Sequence, residues 1–94
     1  METYYIDNVH RCCIKVEVSS YTWISAEVRE VRENGRSVYR TSTSKIIYKP
    51  NFLEGLFGIT YEKKINNGVQ NIKEQIEKDL VKVLQYKEIE SKFQ

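Results

Sequence analysis

Apolar and polar residues alternate through the first half of the chain and recur every three or four positions through much of the second. Across residues 11–19 the alternation is strict. Cys12, Ile14, Val16 and Val18 fall on one side, and Arg11, Cys13, Lys15, Glu17 and Ser19 on the other. Neighbouring side chains of a strand point to opposite faces, so this pattern predicts a half-buried antiparallel strand. Tyr4-Tyr5-Ile6 predicts a short strand before it. Asp7-Asn8 predicts the turn between them, because both side chains bond nearby backbone and tolerate left-handed geometry. A turn at residues 19–21 leads to a third strand with Ile24, Ala26 and Val28 inward and Trp23, Ser25, Glu27 and Arg29 outward. Asn34-Gly35, between strand-like runs at 24–33 and 36–45, is a strong signal for a two-residue hairpin turn. The fourth strand extends from Arg36 to about Tyr48, and its Ser and Thr content suits a sheet. Pro50 ends it, because proline cannot donate to a ladder.

The second half follows a helical period. Thr60 reads as an N-cap, with Glu62 favoured by the dipole in the first turn. Tyr61, Ile65, Val69, Ile72, Ile76, Leu80, Val83 and Leu84 then trace one stripe. The phase holds across Asn66-Asn67-Gly68, which predicts one continuous helix over 61–90. An interior glycine costs such a helix about 1 kcal/mol, and the alternative is a helix that begins only after Gly68. Between sheet and helix, residues 51–58 carry Phe52, Leu53, Leu56 and Phe57, with a short helical turn expected to end at Gly58. The reading is a single α+β domain spanning residues 1–94, with element order β-β-β-β-α. A four-stranded antiparallel meander occupies 1–49, an apolar connector 50–60, and a long C-terminal helix covers one sheet face.

Register decides which side chains share a face. The turn at 19–21 pairs Val16 with Ile24, Ile14 with Ala26, Cys12 with Val28 and Arg11 with Arg29. A two-residue turn at Asn34-Gly35 pairs Glu33 with Arg36, Val31 with Val38 and Arg29 with Arg40. Arg11, Arg29 and Arg40 then form a row on the outer face, with Lys15 adding to the positive field and Glu17 and Glu27 offsetting it. Like charges directly opposite destabilise a sheet pair. One reading is a phosphate-binding site, with Trp23 and Tyr21 supplying aromatic surface nearby. The other is a solvated face whose arginine stems cover apolar surface. The connector has two readings as well: a plug for the end of the core, or an exposed patch that binds a partner.

Composition narrows the classes. The chain has 94 residues, 40% hydrophobic and 30% charged, which suits a small folded domain rather than a disordered one. A net charge of +2 is too small to imply nucleic acid by itself. There is no apolar run of the roughly 20 residues a membrane helix needs, and the first residues lack the basic and apolar regions of a secretion signal. A cytoplasmic protein without a membrane partner is expected. The weight of Ile, Lys, Asn, Glu and Tyr is common in AT-rich genomes, as in low-GC bacteria and their phages. Cys12 and Cys13 are strand neighbours that cannot easily bond each other, with Cys12 buried and Cys13 half-exposed. His10, Cys12 and Cys13 are too few and too divergent for a zinc site, so no metal or cofactor is expected. No nucleophile–base arrangement or glycine-rich phosphate loop is present, so the chain reads as no enzyme, with no catalytic residues.

The leading expectation is a non-enzymatic binding module acting through protein–protein contact. The binding residues are Arg11, Arg29, Arg40, Lys15, Trp23, Tyr21, Phe52 and Phe57, since Arg and aromatic side chains dominate binding hot spots. Size and lack of catalytic equipment also fit a small phage-encoded inhibitor of a host enzyme or defence system, such as an anti-CRISPR protein. The alternative is nucleic-acid or nucleotide-phosphate binding through the arginine row. Leu84, Ile89 and Phe93 offer a homodimer contact if the C-terminal helix runs past the sheet.

Overall fold

The computed structural model describes residues 2–92, with side chains to residue 85. Four strands, β1 (Glu2–Tyr5), β2 (His10–Val18), β3 (Thr22–Val31) and β4 (Ser37–Ile47), form one antiparallel sheet in the order β1-β2-β3-β4. A short helix α1 (Phe52–Leu56) and a long helix α2 (Tyr61–Lys92) follow. This is the expected α+β meander with a C-terminal helix. No described helix is long and apolar enough to cross a membrane.

Turn chemistry accounts for the connections. Asp7 Oδ1 accepts the backbone N–H groups of Val9 (2.8 Å) and His10 (2.7 Å), closing the β1–β2 turn. Residues 19–21 join β2 to β3 with Val18 opposite Thr22. The β2–β3 register is the one the alternation implies: Val16 opposite Ile24, Ile14 opposite Ala26, Cys12 opposite Val28 and Arg11 opposite Arg29.

The β3–β4 hairpin differs from the expectation. Gly35 alone in this turn has positive φ (+81°), whereas a two-residue type I′ turn would need Asn34 there too. The Gly35 N–H donates to the Arg32 carbonyl (3.0 Å), and the Arg32 N–H to the Arg36 carbonyl (2.8 Å). The loop is therefore Glu33-Asn34-Gly35, three residues long, with glycine in the left-handed position. Val31 consequently faces Ser37, Glu30 faces Val38, and Arg29 faces Tyr39. A bulge then leaves Arg40 as an extra residue on β4, because the next pair is Val28 with Thr41. That bulge returns the ladder to the register a two-residue turn would have set.

One face of the sheet carries the core. Cys12, Ile14, Ile24, Ala26, Val28 and Ile47 pack against Ile72, Ile76 and Leu80 of α2, with Tyr61, Ile65 and Val69 partly buried beside them. Thr60 caps α2 by accepting the Lys63 N–H at its hydroxyl (3.2 Å). The helix runs unbroken through Gly68, and proximity accounts for the glycine: a Cβ there would lie 2.9 Å from both Ile24 Cδ1 and Ile47 Cδ1. Early in α2 the Tyr61 hydroxyl bonds the Thr22 hydroxyl. Further on, Lys73 Nζ bonds Glu2 of β1 (2.7 Å) and lies over the Tyr4 ring. The helix thus crosses the sheet from β3–β4 to β1. A helix only about 10–12 Å wide cannot cover four strands about 4.8 Å apart. Val16 and Val18, on the core side of β2, therefore stay exposed. Leu84 is also exposed, whereas the side chains of Ile89 and Phe93 lie outside the described residues.

Candidate functional site

With α2 on one face, the other face of the sheet is left uncovered. Its side chains form rows across the strands: Tyr5, Arg11, Arg29 and Tyr39, then Thr3, Cys13, Glu27 and Ser42, then Lys15, Ser25 and Ser44, then Glu17, Trp23 and Ile46. Between Trp23 and Tyr39 lies an open depression of about 530 Å³, floored by Ser25, Ser42 and Ser44 and bordered by Cys13, Lys15 and Glu27. Small hydroxyl side chains make the floor, and two half-exposed aromatic rings make the ends.

The three-arginine row does not form. Arg11 and Arg29 are neighbours as expected, but Tyr39 takes the place beside Arg29. The bulge sends Arg40 to an ion pair with Glu30, which shares the face of Val28 and Ala26. Arg29 is neutralised on the outer face: Nη1 donates to Glu27 (2.9 Å) and Nε to the Ser37 hydroxyl (3.0 Å). Lys15 pairs with Glu17 at 2.6 Å. Arg11 has no ion pair among the described residues, and its buried Nε has no hydrogen-bond partner. One unneutralised guanidinium flanked by Tyr5 and Arg29 is a far weaker anion site than three in a row.

The connector is the larger surprise, since it plugs nothing. Phe52, Leu53, Leu56 and Phe57 are 80%, 63%, 66% and 82% exposed. Full burial of such a side chain contributes about 1.5–3 kcal/mol, so this segment forgoes several kcal/mol of stability. It is nonetheless built with care. Asn51 caps α1 by accepting the Glu54 N–H (2.8 Å), and the Glu54 carboxylate accepts the Asn51 N–H (3.2 Å), a reciprocal capping box. At the other end Gly58 adopts φ +74°, the Ile59 N–H donates to the Glu54 carbonyl and the Gly58 N–H to the Gly55 carbonyl. That is a Schellman closure, and it gives the expected helix end at Gly58. Lys64 Nζ, 3.0 Å from Glu54, ties α1 to α2. Four bulky apolar groups are therefore held in fixed array on a helical turn that buries none of its own residues. The capping box was readable in the sequence as Asn51 followed by Glu54. The exposure was not.

The Asn51 N–H and the Lys64 ammonium hold the Glu54 carboxyl below the usual glutamate range. A folded value depressed in this way stabilises the tip above the ordinary value of about 4.3 and ceases to do so as pH falls through the folded value. Relative to the intrinsic exchange rate at each pH, protection of the amides of residues 54–59 should therefore fall below about pH 4 while that of β2 and β3 holds. Glu54→Gln should remove this pH dependence.

His10 and Cys12 are both buried. His10 is 4% exposed, with Nδ1 2.7 Å from Asp7 Oδ2, and Cys12 is fully buried. Burial pushes the Cys12 thiol up, away from a nucleophilic thiolate. Cys13 is half-buried on the outer face, where it accepts a weak hydrogen bond from the Thr3 hydroxyl, and both cysteines are free. Among the described residues no three His, Cys, Asp or Glu side chains converge on a metal position. Comparison with protein-family models, curated proteins and solved structures finds no match to this chain.

Proposed function

We propose that this chain is a non-enzymatic binding module that engages a protein partner. Its anchor is the α1 tip, supported by the outer sheet face around Trp23 and Tyr39. The exposed, rigidly capped quartet of Phe52, Leu53, Leu56 and Phe57 carries the reading. A segment capped at both ends and pinned by an ion pair has already given up the conformational freedom that binding would otherwise cost. Its apolar groups form the kind of clustered anchor on which interface energy concentrates. A small domain of this design acts by occupying a surface of its target, as a phage-encoded inhibitor of a host enzyme or defence system would.

The test is retention of a partner from lysate of a low-GC bacterium, treated with nuclease and washed at rising salt. Wild-type protein should hold a discrete protein through moderate salt, since apolar contacts screen little. Phe52→Ser/Phe57→Ser should weaken that retention at least about 100-fold, because interface anchors of this type are each worth about 2 kcal/mol or more. Its circular dichroism and Tm should stay within a few degrees of wild type, both side chains being solvent-exposed. Retention unchanged by the double substitution would remove the tip from the interface. Recovery of nucleic acid alone, lost with nuclease and salt, would favour phosphate binding at Arg11 and Arg29 instead.

A further inference from the structure

β4 is the outermost strand on its side of the sheet, packed against β3 and α2. It is 11 residues long, whereas the opposite edge strand, β1, has four and is guarded by the Glu2–Lys73 ion pair. Native sheets protect long edges with proline, charge or bulges. The single bulge of β4 sits at Arg40. Beyond it, residues 41–47 read Thr-Ser-Thr-Ser-Lys-Ile-Ile, with one charge and no proline. The depression between Trp23 and Tyr39 also runs out at this edge, because Ser42 and Ser44 of the last strand are the outermost part of its floor.

We propose that the partner of this edge is a second copy of the chain, joined antiparallel along β4 about a two-fold axis near Thr43. The segment can pair with itself without a charge clash. Ser42 of one copy faces Ser44 of the other, and Thr41 faces Lys45, so no like charges oppose each other. The product is a continuous eight-stranded sheet with both α2 helices on one face. On the other face the two depressions become one groove across the axis, each gaining from the second copy the wall that a single chain lacks. The paired residues, 41–47, do not include the α1 tip.

Sedimentation velocity of the full chain from about 1 to about 200 µM tests the assignment. A concentration-dependent monomer–dimer equilibrium is expected, with a micromolar Kd. Ser42→Lys/Ser44→Lys substitutes two exposed positions and sets lysines opposite each other in both symmetric pairs. It should raise the Kd at least about 100-fold. A wild-type monomer at the highest concentration would overturn the proposal. So would a dimer indifferent to the lysine pair, or one lost on Phe52→Ser/Phe57→Ser instead. Should the lysine variant misfold, hydrogen exchange on wild type decides the matter. Alternate amides of residues 41–47 should gain protection as concentration rises, and protection that does not change with concentration excludes edge pairing.

Discussion

Ile76→Asp is expected to unfold the domain. Ile76 is completely buried and sits between Ile72 and Leu80 on the stripe that α2 presses against the sheet. Truncating a buried aliphatic side chain costs about 2–5 kcal/mol through lost transfer energy and the cavity left behind. An unpartnered carboxylate in that apolar setting adds several kcal/mol more, whether it stays ionised or takes up a proton. Together these approach the whole stability of a small domain, about 5–15 kcal/mol. Loss of the cooperative thermal transition and collapse of amide chemical-shift dispersion would report the effect. A variant that still melts cooperatively near the wild-type temperature would mean that α2 does not pack on the sheet at this residue.

Gly68→Leu has the next largest expected effect, and Gly68→Ala separates its two components. A glycine inside a helix costs about 1 kcal/mol relative to alanine, so propensity alone says that any side chain should help. Contact says otherwise. The first carbon of that side chain would meet Ile24 Cδ1 and Ile47 Cδ1 at 2.9 Å, and Ile47 Cγ1 at 3.1 Å. Alanine can be admitted if the two isoleucine tips turn aside, and the gain in propensity offsets much of that strain. Leucine has nowhere to go unless α2 lifts off the sheet. Overpacking of this severity costs about 3 kcal/mol, lowering Tm by roughly 12–24 °C, while alanine should stay within about 1 kcal/mol of wild type. Equal stability of the two variants would show that the helix does not approach the sheet closely here.

The candidate site was less legible than the fold, for reasons tied to particular residues. Arg11 opposite Arg29 follows from a strict alternation on both strands, and it stands. Arg40 was misplaced because its position depended on a turn type. Asn-Gly is compatible with a two-residue turn and also with a three-residue loop that puts only the glycine in the left-handed region. One residue of difference moves every side chain on the following strand to the other face until something corrects it. Here the bulge at Arg40 corrects it, and the bulged residue ends up against Glu30. Tyr39 reached the outer face by the same shift, and no periodicity in residues 36–40 announced it. The exposure of Phe52 and Phe57 was equally hidden, because an apolar run looks the same whether a core receives it or solvent does.

The sequence by itself determined the parts that depend on near neighbours along the chain. Alternation assigned β2 and β3 their inner and outer faces. Asp7, Gly58 and Thr60 marked turns and caps whose hydrogen bonds span only a few residues. The unbroken phase of Ile65, Val69, Ile72 and Ile76 implied one helix through Gly68. Tertiary structure decided what depends on how much surface one helix can cover. A single helix crossing four strands buries Cys12 and Ile14 but leaves Val16 and Val18 bare, although all four lie on one face of one strand. It also leaves α1 outside the core, so four large apolar side chains that local rules would send inward are held in solvent. Periodicity specifies the face a side chain takes, whereas burial requires a partner at that place, and only the packing of α2 on the sheet supplies one.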